Sequence, residues 1–122
     1  MIYVNTLLKV ADNTGAKKIL CIRILNCANR SYAIVGDTII GVVKQCMPNM
    51  TITRSEIIRA VIVRTKNCIR RPNGFWIQFD DNAVVLVNKD GSPRGTRVFG
   101  PIAKEIRETA DMRILSLASE VL

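Results

Sequence analysis

RAVIVRTKNCIRRPNGFWIQFDDNAVVLV, residues 59–87, holds the clearest strand signals of the chain and its densest run of positive charge. Ala60, Val61, Ile62 and Val63 form a β-branched apolar run, and residues 75–79, FWIQF, form a second one rich in aromatics. Asn73-Gly74 lies between them and predicts a hairpin, since Gly74 accepts positive φ without a Cβ clash and Asn73 tolerates it. Arg70, Arg71 and Pro72 lead into that turn, so the arginines stand on a protruding arm. A third run, residues 83–87, follows the acidic Asp80-Asp81-Asn82 turn and brings the chain back to the sheet.

Upstream, the apolar segment 6–10 ends at Ala11-Asp12-Asn13-Thr14-Gly15-Ala16, a tight-turn composition. Lys17 and Lys18 follow at once, so this turn is either a phosphate-holding loop or an ordinary hairpin. Residues 19–25 predict a strand buried mainly on one face, with Arg23 as an outward rung or a phosphate contact. The loop 26–33 carries Arg30 and Tyr32, a cation and a ring able to stack on a base. Residues 38–43 are a β-branched strand reaching toward Lys44, stopped by Pro48 and Asn49. Residues 47–53 then predict a second hairpin arm, with Arg54 leading back to the central stretch.

Downstream, residues 88–97 are the most loop-like part of the chain, and Arg94 and Arg97 project from it. Val98 and Phe99 re-enter the core. Pro101 suits the first position of an amphipathic helix over residues 102–108, with Ile102, Ala103 and Ile106 on one face. Residues 112–117 are apolar around Arg113, and 116–122 form a short tail. Many short strands at regular spacing predict a mainly β fold, a compact barrel more than a sandwich. The chain fits one domain, 1–122, with the barrel over about 1–100 and a helical part over about 101–122.

With 48% hydrophobic residues the chain can fill a core, and a formal charge of +8 points to a polyanionic partner. A membrane is the weakest of these, because no apolar run approaches a spanning length. The N-terminal residues lead straight into a strand-like segment, with no signal or transit pattern. Cys21, Cys27, Cys46 and Cys68 contain no C-x-x-C pair and there is no histidine, which argues against a metal site and for buried thiols in a reducing compartment. No cofactor is implied. Without histidine, catalysis would fall to Cys, Lys or the Asp80-Asp81 pair, and the latter reads as a solvated turn, so the chain is not read as an enzyme. Phe75, Trp76, Phe79 and Phe99 lie in apolar runs and are assigned to the core. The expected mode of binding is therefore phosphate and sugar contact with shape recognition of a folded RNA.

Ala60-Val61-Ile62-Val63, then Asn73-Gly74, Phe79, Asn82 and Val84-Val85-Leu86 resemble the signature of the large-subunit ribosomal protein fourteen family. Val10-Ala11-Asp12-Asn13-Thr14-Gly15-Ala16-Lys17, Gly95-Thr96-Arg97-Val98-Phe99-Gly100-Pro101 and Leu115-Ser116-Leu117-Ala118 are similar to further motifs of that family, so the resemblance covers the whole chain. It implies a five-stranded β-barrel with an extended hairpin and small C-terminal helices, bound to large-subunit rRNA. It also implies contacts with large-subunit proteins three and nineteen, intersubunit bridges with small-subunit rRNA, and docking of a ribosome silencing factor.

By matching motif, Lys17, Lys18, Arg23 and Arg30 are rRNA contacts, and Thr96, Arg97 and Arg113 belong to the intersubunit or silencing-factor face. Tyr32, Lys44, Arg54, Arg64, Lys66, Arg70, Arg71 and Arg94 complete the expected rRNA set. Residues 54–59, RSEIIR, resemble plastid members, which places the ribosome in the plastid stroma, with the bacterial cytoplasm as the alternative. The chain departs from the bacterial pattern at residues 50–53, where basic residues are common, and at Ser119, where proline is usual. A free-standing barrel that binds or chaperones RNA is the alternative function.

Overall fold

The computed structural model describes residues 2–25, 31–50, 52–109 and 112–122. Four strands come first: β1 (Leu7–Val10), β2 (Ala16–Ile24), β3 (Thr38–Cys46) and β4 (Ile57–Arg64). Two short ones follow, β5 (Ile69–Arg70) and β6 (Trp76–Ile77), and then β7 (Ala83–Val87). Strands β1, β2, β3, β4 and β7 close a barrel, as the resemblance implies. Its neighbours pair antiparallel except at the seam, where β1 meets β7 in parallel through Lys9↔Ala83 and Val10↔Val84.

Alternation along the strands sends every second residue inward. The register Leu8↔Ile19↔Val43 and Ile39↔Ala60↔Leu86 stacks fully buried side chains from strand to strand. The interior is tight: a Cβ on Gly41 would lie 2.9 Å from Ile19 Cδ1, so a larger residue there would have to displace that isoleucine. The next row, Leu7↔Leu20↔Val42↔Ile57, points outward, and Leu7 and Ile57 are exposed.

From Ala60 onward β4, like β7, is buried on both faces, and the C-terminal segment packs against the outer side of β4. That segment holds β8 (Val98–Ile102), α1 (Ile106–Thr109), α2 (Met112–Leu117) and β9 (Ala118–Val121). Val98, Ile102, Ala103, Ile106 and Ile114 are buried within it, and Ala103 N donates to Val63 O at 3.3 Å.

Four local expectations need correction. The run 60–63 pairs with β3 and β7 and not with 75–79, because it needs apolar cover on both faces. The intervening chain instead leaves the barrel as an arm, a ribbon of its own with Ile69↔Ile77 and Arg70↔Trp76, turning at Asn73-Gly74. The described residues of 47–53 form no strand pair. There Ile52 is buried, Met50 packs against Gly15, and Ser55 N reaches back to Val43 O at 2.8 Å, so this segment caps the barrel end.

Residues 98–102 are strand where a helix from Ile102 was expected, since β8 lies parallel to β9 through Val98↔Ala118 and Ile102↔Val121. Pro101 sits in β8, a two-stranded edge that does not need its missing N–H, and the helix begins only at Ile106. The tail is accordingly β9.

Candidate nucleic-acid interface

The turn after β1 shapes the interface before any cation does. Asp12 is buried; its Oδ1 accepts from Thr14 N at 3.2 Å and Thr14 Oγ1 at 2.6 Å, and its Oδ2 accepts from Leu86 N at 2.9 Å. Burial holds the Asp12 carboxyl above the usual carboxylate range, and the bonds from Thr14 and Leu86 and the charge of Arg94 pull it part of the way back. Asn13 turns the other way. Its Oδ1 accepts from Thr96 N at 2.9 Å and Arg97 N at 3.2 Å, and its Nδ2 donates to Thr96 Oγ1 at 2.8 Å. The motif is thus a pair of struts, with Thr14 N already taken up by Asp12 Oδ1. What it achieves is to fix Thr96 and Arg97 against the barrel end.

Lys17 and Lys18 lie on β2 and not in the turn. The register steps from Ala16↔Cys46 to Lys18↔Gln45, an irregularity that leaves both lysines exposed. Lys18 faces Lys9 across β1, and Lys9 Nζ lies 3.8 Å from Asp81 Oδ2. Lys9, Lys17 and Lys18 line a groove of about 490 Å³ together with Gln45, Met47 and Phe99. The Arg97 guanidinium lies over the Phe99 ring, 5.9 Å from its centroid. Three lysines therefore line one groove, and Phe99, which lines it too, connects them to Arg97.

Arg64 is the clear correction among the expected rRNA contacts. Its Nε and Nη2 donate to Asp81 Oδ1 and Oδ2 at 2.9 and 3.3 Å, and its Nη1 donates to Phe99 O at 2.9 Å and Pro101 O at 3.2 Å. With 6% exposure it faces the protein and ties β4 to the turn before β7 and to β8. Asp81, partly exposed in the turn before β7, is consequently an anchor as well as a turn residue. Arg71 is also committed inward: its guanidinium grips Glu105 with Nε and Nη2 at 3.0 and 2.9 Å to Oε1, and Nη2 also donates to the Leu122 carbonyl. Arg94 is half-buried, with Nη2 3.9 Å from Glu56 Oε1.

Arg23, Lys44, Arg54, Lys66 and Arg70 are exposed at separate places: a β2 irregularity, the β3 end, the 52–56 loop, the β4 exit and the arm. Lys66 is held at its backbone, where its N donates to Asn82 Oδ1 at 2.9 Å. Tyr32 is half-buried with its ring tilted 55° against Tyr3, 6.0 Å between centroids. Arg113, on α2, is exposed and helps to hold the Asp90 carboxyl below its usual range, behind the larger effect of the Ser92 hydroxyl. Arg30 and Cys27 lie outside the described residues.

Two further expectations fail. Phe75, Trp76 and Phe99 are 70%, 62% and 51% exposed, and of the four aromatics assigned to the core only Phe79 is buried. Cys21 is buried, which pushes its thiol up, but Cys68 is exposed. Sequence reading also missed Lys9 as a surface cation, and it set Lys104 and Arg107 off the apolar helix face without counting them as contacts. The signal for Lys9 was its polar place in the alternation LLKV, and for Phe75 and Trp76 it was their position directly after Asn73-Gly74, at a tip and not within a sheet.

Compared with known protein families, residues 1–122 match the family model described as Ribosomal protein L14p/L23e.

Proposed function

The chain belongs to the ribosomal protein L14p/L23e family of structural constituents of the large ribosomal subunit, and from that premise we propose that it binds large-subunit rRNA through phosphate and sugar contacts on a preformed surface. The observation that carries this reading is the groove that Lys9, Lys17 and Lys18 line on the barrel, with Arg97 over the Phe99 ring at its edge. On a strand the lysine backbone is already ordered before binding, and a cluster of lysines concentrates positive potential where a sugar–phosphate backbone can lie. Arg23, Lys44, Arg54, Lys66 and Arg70 extend the contact to other strands of a folded RNA, which suits shape recognition.

Thr96, Arg97 and Arg113 form the face we assign to the intersubunit bridge with small-subunit rRNA and, in the idle subunit, to a ribosome silencing factor. The struts from Asn13 support this assignment, because a docking face gains from a backbone that is already ordered. Large-subunit proteins three and nineteen are the proposed protein neighbours, and the likeness of residues 54–59 to plastid members is the support for proposing a plastid ribosome, with a bacterial one as the alternative.

Sedimentation tests the reading. The protein should travel with large subunits through a sucrose gradient and stay with them in a wash at moderate salt. Recovery in the ribosome-free fraction would favour the free-standing RNA-binding barrel instead.

A further inference from the structure

The β5–β6 arm presents two large aromatic rings to water, Phe75 and Trp76, immediately after its turn. Scattered exposed apolar residues are ordinary, but two adjacent rings on a projecting ribbon that stay 70% and 62% exposed are a surface suited to docking. Their immediate surroundings carry positive charge. The Arg70 guanidinium lies over the Trp76 ring, 5.7 Å from the centroid. On its other side Arg70 lines a concavity of about 450 Å³ with Arg71, Pro72, Lys104, Glu105 and Arg107. Glu105 and the Leu122 carbonyl occupy Arg71, which leaves Arg70, Lys104 and Arg107 as the cations of the hollow.

A ring that accepts stacking, one guanidinium away from a three-cation hollow, has the two halves of a nucleotide site: a π-face for a base and a pocket for its phosphate. A protein segment would have to supply both an aromatic or apolar side chain and an acidic cluster, whereas every unpaired nucleotide carries both groups at fixed spacing. A base inside a duplex has its faces already covered. Resting on the rRNA-bound reading above, we propose that the arm holds an unpaired rRNA nucleotide, its base stacked on Trp76 and its phosphate among Arg70, Lys104 and Arg107. This adds base stacking to a protein otherwise built for backbone contacts.

Trp76 is the single tryptophan of the chain, so its emission reports the site directly. A short oligoadenylate added to the full-length protein should quench that emission, and an abasic oligonucleotide of equal length should not. Trp76→Leu should weaken binding of the oligoadenylate about tenfold and leave the abasic strand unaffected, with Trp76→Phe restoring most of the loss. Lys104→Ala and Arg107→Ala should weaken both strands. No quenching, or equal losses for both strands in Trp76→Leu, overturns the inference.

In large subunits the Trp76→Leu chain should incorporate as the wild type does, while one unpaired base becomes newly reactive to a base-specific probe. Normal incorporation with no base exposed sinks the stacking site alone. Failure of the wild-type chain to enter subunits sinks the rRNA-bound reading beneath it. A photochemical cross-link from Trp76 to a peptide and not to a nucleotide makes the arm a protein contact and also overturns the proposal.

Discussion

Arg64 and Gly100 form a lock at the scale of single residues. Gly100 has φ +80°, and a Cβ there would collide with Arg64 Nη1, so the glycine admits the guanidinium that bonds the carbonyls on either side of it. Arg64→Ala should cost about 2–3 kcal/mol, chiefly because it leaves the Phe99 and Pro101 carbonyls without their donor, and urea unfolding will measure it. Arg64→Lys should recover little, because one ammonium cannot make a forked bond to Asp81 and also span to Phe99 O and Pro101 O. Gly100→Ala should lose about 1–3 kcal/mol from strain and displacement together.

Asp12 gives a pH signature of unusual sign for a carboxylate. Its folded pKa lies above the unfolded one, so its contribution to stability is complete below the unfolded value of 3.8 and is lost as pH rises through the folded value. The difference in unfolding free energy between wild type and Asp12→Asn should therefore move in favour of wild type as pH is lowered from neutral. Denaturation series at several pH values will show it. Neither role was legible beforehand: Arg64 ends an apolar run like any outward cation, and only the fold brings Asp81, Phe99 and Pro101 around it.

Among elements, the arm depends on one clamp. Arg71 N donates to Phe75 O and Gly74 N to Arg71 O across the turn, while the Arg71 side chain fastens the ribbon to Glu105. Glu105→Ala should speed amide exchange in residues 69–77 and leave the global unfolding midpoint nearly unchanged, as expected of a low-contact unit that opens by itself. The barrel strands were readable because β-branched runs and turn residues agree locally. The C-terminal elements were misread because Gly100-Pro101 resembles a helix start, and the β9 partner that makes residues 98–102 a strand arrives only at Ala118. The supposed second arm failed for a similar reason: Ile52 has somewhere to be buried, and that is a tertiary fact.

At the scale of the whole molecule, a charge of +8 is spread over strand ends, loops and the arm, and binding should be governed by counterion release. The logarithm of the rRNA affinity should fall with the logarithm of salt by about 0.7 to 0.9 per neutralised phosphate. Lys18→Ala and Arg70→Ala should each flatten that slope by about one contact, whereas Arg71→Ala, whose charge is already matched by Glu105, should act through arm order and change the slope less. Filter binding across a salt series distinguishes them. The net charge and the candidate cations could be read in advance; which of them are turned inward could not, because Arg64 and Arg71 differ from their neighbours only in having a carboxylate brought to them from a distant part of the chain.

The parallel seam between β1 and β7 also bears on how the molecule is made. Lys9 and Val10 meet partners at Ala83 and Val84, so a chain emerging from the exit tunnel cannot shut its ring until most of it has been synthesised. Until then Leu8, Ile19 and Ile39 lack a roof. Truncated nascent chains ending before Ala83 should bind general chaperones and be digested readily, and protease resistance should arrive abruptly once the segment to Val87 has cleared the tunnel.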